Sequence, residues 1–151
     1  MLRVTLFLVI MVVMGCRAAD PISSAVAGLP DSQVVDLAAT TGADWDRLHI
    51  FGPYMPAETV HTYLGNHPVA TQYSPADDGR VLVAFMTGDR VLRAYELTRR
   101  RVDLAPLSQS QAYTRPEARF RVVHEGDRTV VQPLCWKGWN AAGRSLTRAC
   151  S

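Results

Sequence analysis

Three cysteines, four histidines and fourteen acidic residues are the side chains of this 151-residue sequence that could serve as nucleophiles, metal ligands or proton carriers. The histidines, His49, His61, His67 and His124, are scattered, and no His-x-x-x-His pair, Gly-x-Ser-x-Gly elbow or glycine-rich phosphate loop accompanies them. His49 alternates with Leu48 and Ile50, which places it on the solvent side of a strand. The carboxylate pairs Asp44/Asp46 and Asp77/Asp78 match turn and cap residues, because paired acids hydrolyse glycosides only across a fitted cleft. A tertiary site joining His61 or His67 to Asp77 or Asp78 is the one catalytic constellation left to consider. The expectation is therefore a protein that is not an enzyme, with no catalytic residue, no metal site and no free cofactor.

The cysteines carry more information through their positions. Val4 to Met14 is an eleven-residue run, apolar but for Thr5, behind Arg3, about half of the roughly 20 residues that a membrane-spanning helix needs. That length suits the apolar region of an export signal. The run closes on Val13-Met14-Gly15-Cys16, which resembles a bacterial lipobox, with an aliphatic residue three before and a small residue just before the cysteine that takes up diacylglycerol. On this reading residues 1–15 are a lipoprotein signal peptide, Cys16 carries a covalent lipid that includes palmitate, and residues 16–30 are a flexible tether. Arg17 is not the aspartate of an inner-membrane retention signal, so the expected location is the cell envelope, on the periplasmic face of the outer membrane. With Cys16 lipidated, Cys135 and Cys150 remain as a pair, and an oxidising compartment permits a disulfide between them. Closing a loop of about 15 residues is worth roughly 3 kcal/mol in the chain-entropy account.

Residues 31–151 must hold any site in place. Hydrophobic residues make up 48% and charged residues 20% of the chain, a composition that fits one folded domain and excludes a disordered or highly charged tail. Asp31 or Ser32 can cap a short helix through Val34, Val35, Leu37 and Ala38 to Gly42. Leu48 and Ile50 then mark a strand stopped by Gly52-Pro53, and Pro56 opens a helix carrying Val60 and Leu64 and ending at Gly65. Residues 69–73 read as a further strand. Residues 79–97 and 119–133 each read as an antiparallel hairpin, turning at Gly88-Asp89 and Gly126-Asp127, with residues 102–117 as the loop between them. The sum is an α+β domain: an antiparallel sheet of four to five strands packed on one face by one or two short helices.

Contact candidates follow from residue type. Trp45 and Tyr54, with Trp136 and Trp139 inside the Cys135–Cys150 loop, are the aromatic residues suited to an interface. Charge is uneven: residues 17–78 carry eight acids and two arginines, whereas residues 79–151 carry thirteen bases and six acids. Arg99, Arg100 and Arg101 form the densest basic run and offer a second surface, toward phospholipid headgroups or an acidic partner. Nucleic acid is not an expected partner, because export removes it and no aromatic-basic RNA-binding motif is present.

The pattern Asp44-Trp45-Asp46-Arg47-x-x-x-Phe51-Gly52-Pro53-Tyr54 resembles a segment of small, functionally uncharacterised bacterial lipoproteins, together with VLVAF, GDRVLRAYEL and RPEARFRV further on. Met55 departs from that pattern, in which a threonine or other helix-capping residue is common. The likeness implies an exported domain and supplies no catalytic residue. A fainter likeness links Glu58, Val60, Leu64 and Gly65 to the helix of SmpA/OmlA (BamE-like) outer-membrane lipoproteins, whose helix also precedes a small antiparallel sheet. The expected function is that of a lipid-anchored envelope protein acting as an interaction or structural-maintenance domain with an envelope protein partner. The alternatives are an immunity or inhibitor lipoprotein against a periplasmic toxin or lytic enzyme, and a small hydrolase or ligand-binding protein.

Overall fold

A computed structural model describes residues 20–42 and 44–134, together with the backbone of residues 137–139 and 145–147. The two hairpins form where β-branched and aromatic residues flank a glycine turn. Strands β3 (Arg80–Thr87) and β4 (Arg90–Thr98) pair antiparallel, as do β7 (Arg119–Glu125) and β8 (Arg128–Pro133). Gly88 and Gly126 stand at φ +53° and +61°, at the first loop position of each turn, where glycine alone takes a positive φ without strain.

The hairpins belong to different sheets. The first sheet runs β1-β7-β8-β5, with β1 at Val34–Asp36 and β5 at Val102–Asp103, and β5 lies parallel to β8. The second runs β4-β3-β2-β6, with β2 at Arg47–Phe51 and β6 at Tyr113–Thr114. Residues 137–139 and 145–147 pair antiparallel as a separate ribbon of β9 and β10. The architecture is thus α+β, with largely antiparallel strands packed against a few short helices.

The second sheet is the middle layer. On one side Leu48, Ile50, Val83 and Phe85 pack with Val35, Phe120, Val122 and Val131 from the first sheet. On the other, Phe51, Leu82, Ala84 and Met86 pack beneath helix α3 (Ala57–Leu64) and helix α4 (Pro68–Gln72) through Val60, Leu64 and Ala70. Both faces of β2 and β3 are therefore apolar, and His49 is buried rather than facing solvent.

Local chemistry explains where the sequence expectations change. Residues 34–36 are a strand, not helix: two adjacent valines favour extended backbone, and the Asp36 carboxylate then accepts the Ala39 N–H at 3.0 Å, starting the single helical turn α2 at Leu37–Thr40. Residues 68–72 are helical rather than extended, since Pro68 suits a first helical turn and the His67 ring caps the Val69 N–H at 3.3 Å.

The expected tether also contains structure. Helix α1 (Pro21–Ala27) starts with the Asp20 carboxylate accepting the Ser23 N–H at 2.6 Å, and Ile22 and Val26, one turn apart, are fully buried in the core between the sheets. Residues 20–27 thus belong to the folded unit. Substituting Ile22 by alanine should destabilise the domain by about 2–4 kcal/mol in urea unfolding, whereas a free tether predicts no change.

The expectation of a Cys135–Cys150 disulfide is corrected to this extent: no disulfide bond is found among the described residues, and Cys16, Cys135 and Cys150 all lie outside them. Packing of the two sheets accounts for the core without a cross-link. Among the described residues no helix is long and apolar enough to cross a membrane.

Candidate functional site

The turn after β2 is built to hold one aromatic ring in solvent. Gly52 donates its N–H to Ser108 Oγ at 2.8 Å, and a Cβ at position 52 would stand 2.8 Å from Ser108 Cβ, so only glycine fits there. The Tyr73 hydroxyl donates to Gly52 O at 2.7 Å and lies 3.2 Å from Met55 O. Burial raises the pKa of Tyr73, which keeps that donor protonated. Tyr54 donates its N–H to Pro75 O at 2.9 Å and adopts φ +66°, a conformation costly for a side chain of this size. Tyr54 is nevertheless 74% exposed. A strained residue fixed from both flanks and pointing its ring outward is a feature associated with contact sites.

Only part of the basic run is free. Arg99 grips Asp103 with Nε on Oδ1 and Nη2 on Oδ2, both at 2.9 Å, while Nη1 donates to Asp78 O at 2.7 Å. Arg128 approaches the same carboxylate at 3.4 Å, and Asp103 also accepts the Ala105 N–H at 2.9 Å. Asp103 is 2% exposed. Its burial alone would raise the carboxyl pKa, but the Arg99 and Ala105 hydrogen bonds and the two guanidinium charges outweigh it and hold the group below its ordinary value. Asp78, whose carbonyl takes Arg99 Nη1, lies three residues beyond Pro75, whose carbonyl takes the Tyr54 N–H. Arg100 and Arg101 are exposed and have no ion-pair partner among the described residues.

Trp45 is a core residue rather than a contact residue. It is 4% exposed, its ring meets Phe85 edge-on at 5.3 Å, its indole N–H donates to Thr41 Oγ1 at 3.0 Å, and the Arg115 guanidinium sits 4.8 Å above it. Cys16, Cys135, Cys150, Trp136 and the Trp139 side chain lie outside the described residues.

The histidines and acids considered for catalysis serve local structure. His67 caps α4, His61 Nδ1 lies 3.3 Å from Gly65 O, and Asp77 pairs with Arg80 at 3.2 Å. No hydrogen bond or ion pair joins His61 or His67 to Asp77 or Asp78 among the described residues. No group of three or more metal-ligating side chains occurs among those residues either.

His49 is the residue that sequence reasoning missed. It is buried beneath α3, between Phe51 at 5.5 Å and Tyr63 at 4.4 Å, and neither ring nitrogen has a hydrogen-bond partner. Burial, with the Arg47 charge adding to it, pushes the imidazole pKa down to about 4. The signal was the apolar character of Ile50 and Phe51 together, which marks a strand buried on both faces.

The chain matches no protein-family model, and no curated protein or solved structure matches it, so the Tyr54 turn and its neighbouring arginines are the ground on which a function must be argued.

Proposed function

We propose that this chain is a lipid-anchored envelope protein, attached through Cys16, whose folded domain docks a protein partner through the Tyr54 turn. The anchor reading rests on the apolar run from Val4 to Met14 and on the Val-Met-Gly-Cys sequence that closes it. The docking reading is carried by one observation: a tyrosine held at positive φ by hydrogen bonds on either side, with its ring in solvent. Folding alone gains nothing from that arrangement, because glycine would occupy the position with less strain.

Tyr54→Gly separates the two roles. The variant should fold at least as stably as the parent in urea unfolding, while recovery of a cross-linked envelope protein falls tenfold or more. Equal recovery from both proteins sinks the docking assignment. The anchor is read separately, by incorporation of a palmitate analogue that disappears in Cys16→Ala; a label that persists in that variant rules out Cys16 as its site.

A further inference from the structure

The two four-stranded sheets have four edges, and three are blunted by brevity: β1, β5 and β6 are two or three residues long. β4 is nine residues long and, among the described residues, pairs only with β3. It carries one protective irregularity. Phe85 pairs with Arg93 and Met86 with Val91, which leaves Leu92 as an extra residue bulged from the ladder. From Arg93 to Thr98 the edge is regular and contains no proline.

The direction of its free backbone groups follows from one hydrogen bond. Arg99 donates its N–H to Gly79 O at 2.9 Å, in continuous register with the β3-β4 pairing. Antiparallel alternation then turns the N–H and C=O groups of Leu97, Tyr95 and Arg93 toward β3 and those of Thr98, Glu96 and Ala94 outward. An extended chain laid against this edge meets three donors and three acceptors at the spacing of a sheet.

Charge selects what kind of chain. Glu96, the one acid within β4, is held by Arg80 at 2.5 Å. Arg90 and Arg93 are exposed at one end of the strand, and Arg100 and Arg101 follow its other end with no ion-pair partner among the described residues. We infer that the outer edge of β4 from Arg93 to Thr98 is a strand-addition site for an extended acidic segment of a partner protein. The inference rests on the docking reading above and deepens it, since Arg99, which follows this edge, donates to Asp78 O in the same loop whose Pro75 carbonyl holds Tyr54.

The test uses the full chain and a fluorescent eight-residue peptide of alternating threonine and glutamate, with a lysine-for-glutamate counterpart as control. The acidic peptide should bind saturably and at least tenfold more tightly than the lysine peptide. Binding should slow hydrogen exchange at the amides of Ala94, Glu96 and Thr98 and leave those of Tyr95 and Leu97 as they were. Thr98→Pro removes an outward N–H without breaking the β3 ladder, and Arg100→Glu with Arg101→Glu reverses the flanking charge; each variant should weaken binding at least tenfold. Absence of saturable binding, equal affinity for the two peptides, or binding with unchanged exchange along β4 overturns the assignment. Dimerisation of the free chain that Thr98→Pro abolishes also overturns it, in favour of a second copy at the edge. A Tyr54-dependent cross-link that survives Thr98→Pro leaves the docking reading standing and removes only this one.

Discussion

His49→Phe should make the domain more stable, and the gain should grow as the solution is acidified. At neutral pH the native imidazole is uncharged and buries two nitrogens without partners, a penalty of about 1–2 kcal/mol that a phenyl ring between Phe51 and Tyr63 does not carry. Below pH 6.5 the unfolded chain takes up a proton at His49, while the native ring resists until about pH 4. The unfolded state then binds more protons, so the contribution of His49 to stability is whole above pH 6.5, falls as pH drops, and reaches its full loss below about 4. The difference between parent and variant should therefore widen by roughly 2 kcal/mol between pH 7 and pH 5. Urea unfolding of both proteins at each pH isolates this residue, because the carboxylates are common to the pair. A constant difference across that range means that the native ring protonates normally.

Asp103→Ala should produce the largest loss among the polar substitutions. The buried carboxylate receives two hydrogen bonds from Arg99, one from the Ala105 N–H and the charge of Arg128. Removing one member of such a cluster strands the others. Because the Arg99 and Arg128 side chains are 27% and 43% exposed and water can reach them, the expected cost is about 3 kcal/mol, the low end for a broken buried pair. Asp103→Asn keeps the shape and separates charge from packing. The carboxyl pKa lies below its unfolded value in the native state, so its contribution is present above that unfolded value and is lost as pH falls through the native one. The asparagine variant should lack this part of the acid-induced loss seen in the parent.

Much of the local structure was legible. Helix α3 follows from Pro56, the Val60/Leu64 spacing and Gly65, and both hairpins follow from alternating apolar residues around Gly-Asp turns. Helix α1 falls in the span expected to be a tether, although Asp20-Pro21 is a helix start and Ile22 and Val26 lie one turn apart. The short span of small residues around it hides that signal in composition. The division of the hairpins between two sheets was not legible. An alternating strand reports which residues are buried, not which sheet buries them, and β5 and β6 are two residues each, too short to show a period.

The candidate site divides in the same way. Residue type picked out both Trp45 and Tyr54 as large aromatics near a turn, and it cannot distinguish them. Trp45 is drawn inward by Phe85, Thr41 and Arg115 from distant or neighbouring elements, whereas Tyr54 is turned outward by Pro75 and by the anchoring of its neighbours on Ser108 and Tyr73. Arg99 reads as one of three equal charges in sequence, yet folding places it against Asp103, leaving Arg100 and Arg101 exposed.

By itself the sequence determined an apolar leader-like segment ending at a cysteine, the period of each hairpin and helix α3, because these depend on neighbours within a few residues. Only the tertiary structure decided that β2 and β3 are buried on both faces, that His49 lies beneath α3, that Trp45 belongs to the core and that β4 is the long free edge among the described residues. Each of those depends on contacts between residues far apart in the chain, and a strand carries no mark of its partner until the layers close around it.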